Sequence, residues 1–354
     1  MTEYKLKQDM VADSIRESLL RGKYRKGDRL PTDSEMAEMF EVDKRTVAMG
    51  LNKLASEGLL SRAPRRGTII TADLAKPVSN AVALISRSQG DVFLAISAAI
   101  TRLLMAKSLY PVAIDNSVAN KHEDIMNFIE FMTATQQPSG FIVQGYTDVP
   151  YDYIEKETDI FRNTVFIIRY HYFKPIENAG YVLTDTEEAG RILAEYFHQR
   201  GYRNIAFPAL REPRYNGPYS SMQVQIMQSL THWCREYGMS FNEGLFWRLH
   251  AGADRETALR EVFKSKDHPD AFFAYSDSTL TNTFQPVLRK ISPNLADEIE
   301  CVGMFDTPIA ENHHFASLNI QEEKIAETAI KMLLGEIEKS TIFIKPELKL
   351  HNQP

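Results

Sequence analysis

The chain begins with three segments whose apolar residues are spaced as in amphipathic helices. The first ends near Gly22 and carries apolar residues four positions apart, namely Val11, Ile15 and Leu19. The second is short, and its predicted buried side consists of Met36, Ala37, Met39 and Phe40. The third runs from Asp43 to Gly58, with a predicted inner face made of Val47, Leu51, Leu54 and Ala55. Two short strands are predicted after it, at residues 59–62 and 68–71.

Three helices followed by a hairpin make up a winged helix-turn-helix, so this pattern predicts such a domain in residues 1–72. Residues 73–80 are polar, contain Pro77 and are predicted to form a linker. Beyond it, short apolar runs alternate with helical segments; the runs begin at Ala81, Pro111, Gly140, Val165, Ile205, Ala271 and Cys301. This alternation predicts an α/β domain over residues 81–354, in which buried parallel strands are flanked by helices. About 270 residues exceed one such unit, which favours two lobes with a cleft between them.

The charge is distributed unevenly along the chain. In total, 41 Lys and Arg stand against 47 Asp and Glu, and a net charge of −6 by itself argues against nucleic-acid binding. Residues 1–72, however, carry 14 basic and 11 acidic side chains, a net charge of +3. The remaining 282 residues carry 27 basic and 36 acidic side chains, a net charge of −9. The positive charge therefore belongs to the predicted winged helix.

Cysteine use and hydropathy bear on the compartment. The two cysteines, Cys234 and Cys301, are far apart and have no CxxC spacing, which argues against a disulfide framework or a cysteine zinc site. The first residues contain no apolar signal region, and no run approaches the roughly 18 apolar residues of a membrane span. We therefore expect a cytoplasmic protein without a membrane partner.

The starts of the second and third helices carry recognisable chemistry. Thr32 and Glu35 have the spacing of a capping box, and Asp43 is a candidate N-cap for the third helix. Lys44 and Arg45 follow directly, and two cations in a first helical turn oppose the helix dipole. A DNA phosphate or a guanine edge would compensate for them. An ordinary solvated basic face is the alternative, but the order of the elements favours DNA.

The segment from Gly22 to Thr32 resembles the GntR-family signature G-x-Y-x-x-G-D-x-L-P-[ST], and the resemblance extends over residues 6–71. The resemblance implies binding to double-stranded operator DNA through the start of the third helix and through the wing. The DNA contacts we predict are Thr32, Ser34, Lys44, Arg45, Thr46, Arg65, Arg66 and Gly67. The chain departs from the family pattern at Ser34, Glu41, Ala48 and Arg65, so the operator sequence cannot be inferred from relatives.

The second domain resembles the effector domain of LacI/GalR-type repressors, which is similar to type I periplasmic sugar-binding proteins. The matching segments are residues 182–190, 196–207, 271–277, 301–306 and 344–348, in the order of that family. A GntR-type head on such a body resembles arabinose repressors of the AraR type. The resemblance implies a two-lobed, periplasmic-binding-protein-like domain that also carries the homodimer contacts.

Ligands of open parallel sheets bind at the carboxyl ends of strands. This rule, together with the resemblance, gives seven predicted effector-binding residues: Ser86, Arg87, Phe93, Gln144, Arg169, Asp277 and Gln321. Asp277 would accept hydroxyl hydrogens of a polyol, and Phe93 would cover its apolar side. Arg169 falls where relatives often have an aspartate, and arginine suits a carboxylate or phosphate. Three possibilities for the effector remain open: a neutral sugar, an acidic sugar or sugar phosphate, or no small ligand at all.

No catalytic motif, metal-spaced histidine set or cofactor-binding signature occurs, so we expect a non-enzyme without cofactor or metal. The sequence favours a ligand-responsive transcription regulator of carbohydrate genes, acting as a repressor and as a homodimer. The ligand would change the population of two dimer arrangements and thereby the spacing of the two heads. The alternative is a sugar-binding protein or sugar-acting enzyme whose winged helix contacts another protein.

Overall fold

The computed structural model describes residues 6–20, 23–24, 26–63, 67–72, 79–86, 91–115, 122–144, 163–167, 179–208, 222–245, 254–265 and 267–351. The chain divides into two compact units. The first unit consists of Met1–Ala81 and Met126–Ser139, and the second unit consists of Val82–Ile125 and Gly140–Pro354. Residues 73–78 of the predicted linker lie outside the described residues.

The first unit contains the predicted winged helix-turn-helix. Its elements are α1 (Lys7–Leu20), α2 (Asp33–Met39), α3 (Lys44–Ser56), β1 (Leu60–Ala63) and β2 (Gly67–Ile70). The two strands are antiparallel, with Ala63 opposite Gly67 at the turn. One core joins them, made of Ala12, Ile15, Leu19, Leu30, Met36, Val47, Leu51, Leu54, Leu60 and Ile70. Gly50 allows α1 to approach α3, because a Cβ there would lie 2.8 Å from the Gln8 carbonyl oxygen.

One predicted core position in this domain is wrong. Met39 was expected on the buried side of α2, but its side chain is 60% exposed. At about 100° per residue, Met36, Ala37 and Phe40 cover one arc of the helix, and Met39 lies outside it. A helix of seven residues presents only this narrow face to the core.

The second unit contains two six-stranded sheets. The first has the order β13-β7-β6-β5-β3-β4, and the described pairs within it are parallel. Its strands are β3 (Ala81–Ser86), β4 (Tyr110–Asp115), β5 (Phe141–Gln144), β6 (Thr164–Ile167), β7 (Gly180–Thr184) and β13 (Thr341–Ile344). All residues of β3, β5 and β6 are buried, as predicted, and those of β7 are buried as well. The expectation of a buried strand is wrong for β4, because it lies at the sheet edge.

The second sheet has the order β14-β12-β11-β10-β8-β9. It consists of β8 (Asn204–Ala206), β9 (Ser240–Asn242), β10 (Ala271–Phe273), β11 (Glu300–Met304), β12 (Ser317–Asn319) and β14 (Glu347–Lys349). The pairs are parallel except that of β12 with β14. The apolar pattern of the sequence did not predict β7, β9, β12, β13 or β14.

Helices connect the strands. They are α4 (Asp91–Ala106), α5 (His122–Phe131), α6 (Thr186–Gln199), α7 (Met222–Glu236), α8 (Arg255–Phe263), α9 (Asp277–Thr279), α10 (Gln285–Ile291), α11 (Leu295–Glu298), α12 (Pro308–Asn312) and α13 (Glu322–Leu333). Two π-helical segments, Met132–Gln136 and Leu280–Phe284, follow α5 and α9. In the described part of the chain, every helix is too short or too polar to cross a membrane. The predicted α/β architecture with an N-terminal winged helix is confirmed.

Candidate functional site

The capping residues of α2 and α3 are arranged as the sequence predicts. Thr32 Oγ1 accepts the N–H of Glu35, and the Glu35 carboxylate accepts the N–H of Thr32 at 2.6 Å. Asp43 accepts the backbone N–H of Thr46 at 2.7 Å and its hydroxyl at 3.0 Å. These hydrogen bonds lower the pKa of both carboxyls, Glu35 and Asp43. Thr32 and Thr46, predicted as DNA contacts, therefore also hold the helix starts.

Lys44 and Arg45 are exposed in the first turn of α3. Within the described residues, neither side chain forms an ion pair or a side-chain hydrogen bond. Met49 lies one turn further along the helix and is 48% exposed. An exposed methionine beside two cations can contact a thymine methyl group. The sequence pattern predicted Met49 to lie outside the core but did not assign it to DNA binding.

The wing is described in part. Gly67 has φ +76, a backbone conformation that favours glycine at the end of the hairpin turn. Arg65 and Arg66 lie outside the described residues. Ser34 is half-buried in the first turn of α2.

In the first sheet, two predicted effector residues end neighbouring strands. Ser86 ends β3 and Gln144 ends β5, and both are buried. The Gln144 amide donates to the Phe93 carbonyl at 3.0 Å and accepts the Ser97 hydroxyl at 2.9 Å. Gln144 thus joins the strand end to α4, where the Phe93 side chain is half-buried. Arg87 and Arg169 lie outside the described residues.

In the second sheet, Asp277 follows β10 and is 0% exposed. Its Oδ2 accepts the backbone N–H of Thr307 at 2.8 Å and the Thr307 hydroxyl at 2.9 Å. Its Oδ1 accepts the Ser317 hydroxyl at 2.7 Å. Burial raises the pKa of Asp277, although these hydrogen bonds act in the opposite direction. The carboxylate therefore connects the ends of β10 and β11 to β12.

A glycine makes room for this arrangement. A Cβ at Gly303 would overlap Oδ1 of Asp277 and would lie 2.8 Å from the Phe315 ring. Gly303 lies in β11 and pairs with Ser317 in β12, the same residue that donates to Asp277. The close approach of the carboxylate to β11 requires the absence of a side chain at this position.

The backbone after β11 is left-handed at two residues, Phe305 (φ 88) and Asp306 (φ 48). The Asp306 N–H donates to Ser317 Oγ at 2.9 Å. The Asp306 carboxylate accepts Asn319 Nδ2 at 2.8 Å and lies 2.6 Å from His351 Nε2. Such backbone conformations persist where surrounding contacts hold them, and here hydrogen bonds on both sides do so.

The last predicted effector residue, Gln321, is half-buried, has φ 65 and donates to Asn319. Glu322 follows at the start of α13. Burial, with the charges of Asp306 and Asp277, raises the pKa of Glu322 to about 7. Three carboxyl groups thus lie at the carboxyl ends of β10, β11 and β12.

An aromatic group at the same strand ends was missed. Tyr275, half-buried, packs edge-on against Phe305 with ring centres 5.7 Å apart and stacks on Phe207 at 6.4 Å. Its position two residues after β10 was the available signal, since ligands of open parallel sheets bind at the carboxyl ends of strands. Thr307 and Ser317, the partners of Asp277, gave no such signal.

Comparison with known proteins finds family matches for two segments of the chain. Residues 7–70 match the gntR family of bacterial regulatory proteins, and residues 194–351 match the periplasmic binding protein-like domain. An arabinose metabolism transcriptional repressor of Geobacillus stearothermophilus is 22% identical over 364 aligned residues, which cover 94% of this chain and 93% of the relative.

Two solved structures share the fold. A transcriptional regulator, CelR, in complex with cellobiose has a TM-score of 0.60 and 18% identity, covering 91% of this chain and 99% of that one. The trehalose repressor of Escherichia coli has a TM-score of 0.59 and 14% identity, and the match covers 76% of this chain and 99% of that one. These relatives are regulators rather than enzymes, in agreement with the expected non-enzyme. The chain therefore joins a segment that matches the gntR family of bacterial regulatory proteins to a segment that matches the periplasmic binding protein-like domain.

Proposed function

We propose that this chain is a cytoplasmic repressor of carbohydrate genes that binds operator DNA through residues 1–72. The observation that carries the DNA-binding surface is the pair of exposed cations, Lys44 and Arg45, at the capped start of α3. There they can reach phosphates or guanine edges, with Thr32, Ser34, Thr46, Arg65, Arg66 and Gly67 as further contacts.

The test is the double variant Lys44→Ala with Arg45→Ala in the full chain. Each good contact contributes roughly 1–3 kcal/mol, so we expect about a 100-fold loss of affinity for a duplex taken from upstream of its own gene. The matched control is Lys264→Ala with Arg289→Ala, which removes the same charge from exposed positions of the other unit. Equal affinity of both variants in a fluorescence-anisotropy titration would refute this surface.

We propose further that residues 81–354 form the effector domain and that residues 73–80 form the linker to the head. The effector is a sugar or sugar derivative held at the strand ends that carry Ser86, Gln144, Asp277 and Gln321. The names of the relatives, which refer to arabinose, cellobiose and trehalose, support a carbohydrate. Arg87 and Arg169 keep an acidic sugar or sugar phosphate among the candidates.

A thermal-shift screen tests this part. Arabinose, cellobiose, trehalose, gluconate and glucose 6-phosphate are the probes, and the expected result is a raised melting temperature with one of them. The same compound should weaken DNA binding, because it favours the arrangement with lower operator affinity. A compound that raises the melting temperature and leaves DNA affinity unchanged would contradict the coupling.

We propose a homodimer as the DNA-binding form. Two heads on one duplex bind more tightly than one, since the second contact forms at high effective concentration. Sedimentation equilibrium at micromolar concentration should give twice the 40.4 kDa chain mass. A monomer that binds a single half-site with the same affinity as the whole operator would contradict this.

A further inference from the structure

Arg62 is a cation of the winged helix whose side chain is already engaged. It lies in β1, and its side chain is 24% exposed. Nη1 donates to the Ala48 carbonyl at 3.0 Å and to Asn52 Oδ1 at 3.1 Å. Nη2 pairs with the carboxylate of Asp33 in the first turn of α2. One guanidinium thus connects β1, α2 and α3.

The attachment points on α3 lie close to the predicted DNA contacts. Ala48 is one turn beyond Lys44, on the same outer side of the helix, and Asn52 is one turn further. On the other side, Lys53 of α3 pairs with Asp9 of α1 at 2.9 Å, and Glu57, which caps the end of α3, pairs with Arg16 of α1 at 2.8 Å. The helix α3 is therefore held by hydrogen bonds from Arg62 on one side and by ion pairs to α1 on the other.

The core of the domain does not depend on Arg62. Leu54, Leu60 and Ile70 are buried between α3 and the hairpin and belong to the common core. Loss of the guanidinium would leave this core in place and would free the outer side of α3 to tilt relative to β1. Because base and phosphate contacts require a fixed docking geometry, such a tilt weakens binding without unfolding the domain.

We propose that Arg62 is a positioning residue for DNA binding, which acts through Asp33, Ala48 and Asn52 rather than by contacting a phosphate. The proposal rests on the DNA-binding surface proposed above. The proposal also assigns a role to Asp33. A carboxylate next to the DNA-binding face would be expected to repel DNA, whereas Asp33 here strengthens DNA binding because it holds Arg62.

The test uses Arg62→Ala, Arg62→Lys, Asp33→Asn and the double variant Arg62→Ala with Asp33→Asn in the full chain. The probe is the duplex from upstream of its own gene, titrated at several salt concentrations. We expect each single variant to lose about tenfold in affinity, with the double variant no weaker than either single one, because both members act as a unit. The dependence of log affinity on log salt should stay unchanged.

Arg62→Lys keeps the charge but cannot form the forked contact, so it should not restore binding. The proposal is overturned if Asp33→Asn tightens binding or leaves it unchanged. It is also overturned if Arg62→Ala reduces the salt slope by about one phosphate contact, the result expected of a direct contact.

Two further measurements separate other causes. If Arg62→Ala fails to fold by circular dichroism, Arg62→Lys and Asp33→Asn decide the question in the same way. If Lys44→Ala with Arg45→Ala retains affinity while the Arg62 variants lose it, the proposed recognition surface is wrong and the position of the binding face must be sought elsewhere.

Discussion

The outer face of α3 and the strand ends of the second sheet use polar residues in opposite ways. Lys44 and Arg45 are exposed in the first turn of their helix. Asp277 is 0% exposed, and each of its carboxylate oxygens accepts hydrogen bonds from neighbouring elements. A surface that meets DNA can leave its charges in water until the partner arrives, whereas a site for a small ligand must be held in shape beforehand. Substitutions should therefore affect stability at the strand ends and affinity at the helix.

Both tryptophans, Trp233 and Trp247, belong to the second unit, so tryptophan fluorescence follows the unfolding of that unit. Calorimetry measures the unfolding of the winged helix as well. This allows the two regions to be compared in one protein.

The largest effect is expected at Gly303. Gly303→Ala places a Cβ against the Asp277 carboxylate and the Phe315 ring, both of which are held in place. We expect a loss of about 3 kcal/mol in the free energy of unfolding of the second unit, measured by tryptophan fluorescence in urea. Gly244→Ala is the control, since its Cβ would meet only Asn242 at an ordinary 3.5 Å. Similar losses for both variants would mean that the carboxylate can move away.

The next effect depends on pH. The pKa of Glu322 is raised to about 7 by burial and by Asp306 and Asp277, so its ionisation disfavours the folded state. Its contribution to stability is present below the ordinary pKa of 4.5 and is lost as pH rises through about 7. Glu322→Gln should raise the free energy of unfolding by about 2 kcal/mol at pH 8, after allowance for partial exposure, and change it little at pH 4.5. An equal effect at both pH values would contradict ionisation as the cause.

A smaller effect is expected in the winged helix. Asp43→Ala removes the N-cap of α3 and should lower the free energy of unfolding of this domain by about 1 kcal/mol in calorimetry. The tryptophan transition should not move. Glu38→Ala removes the same charge from an exposed position of α2 without removing a cap, and serves as the control. A shift of the fluorescence transition by Asp43→Ala would show that the two regions do not unfold separately.

The smallest effect is expected at Met39. Because this side chain is 60% exposed, Met39→Gln should change the free energy of unfolding by less than about 0.5 kcal/mol. A loss above about 1 kcal/mol in calorimetry would mean that Met39 is covered in the assembled protein.

Local patterns predicted the elements of the winged helix and most strands of the parallel sheets. The capping residues Thr32 and Asp43 act on helix starts within three positions, so their roles could be inferred from spacing. The partners of Asp277 could not, because Thr307 and Ser317 are 30 and 40 positions away and come into contact only through the sheet. The three-residue strand β12 was missed because its Ser317 is buried and polar, which gives no apolar run. Whether the predicted contacts bind DNA and effector stays a prediction.

The C-terminal strands have a consequence for the order of folding. β13 completes one edge of the first sheet and β14 one edge of the second, with only Lys345 and Pro346 between them. β7 lacks a neighbour on one side until residues 341–344 have left the ribosome, and β12 until residues 347–349 have done so. Neither sheet therefore has its full set of strands until the last two described strands, β13 and β14, have been synthesised.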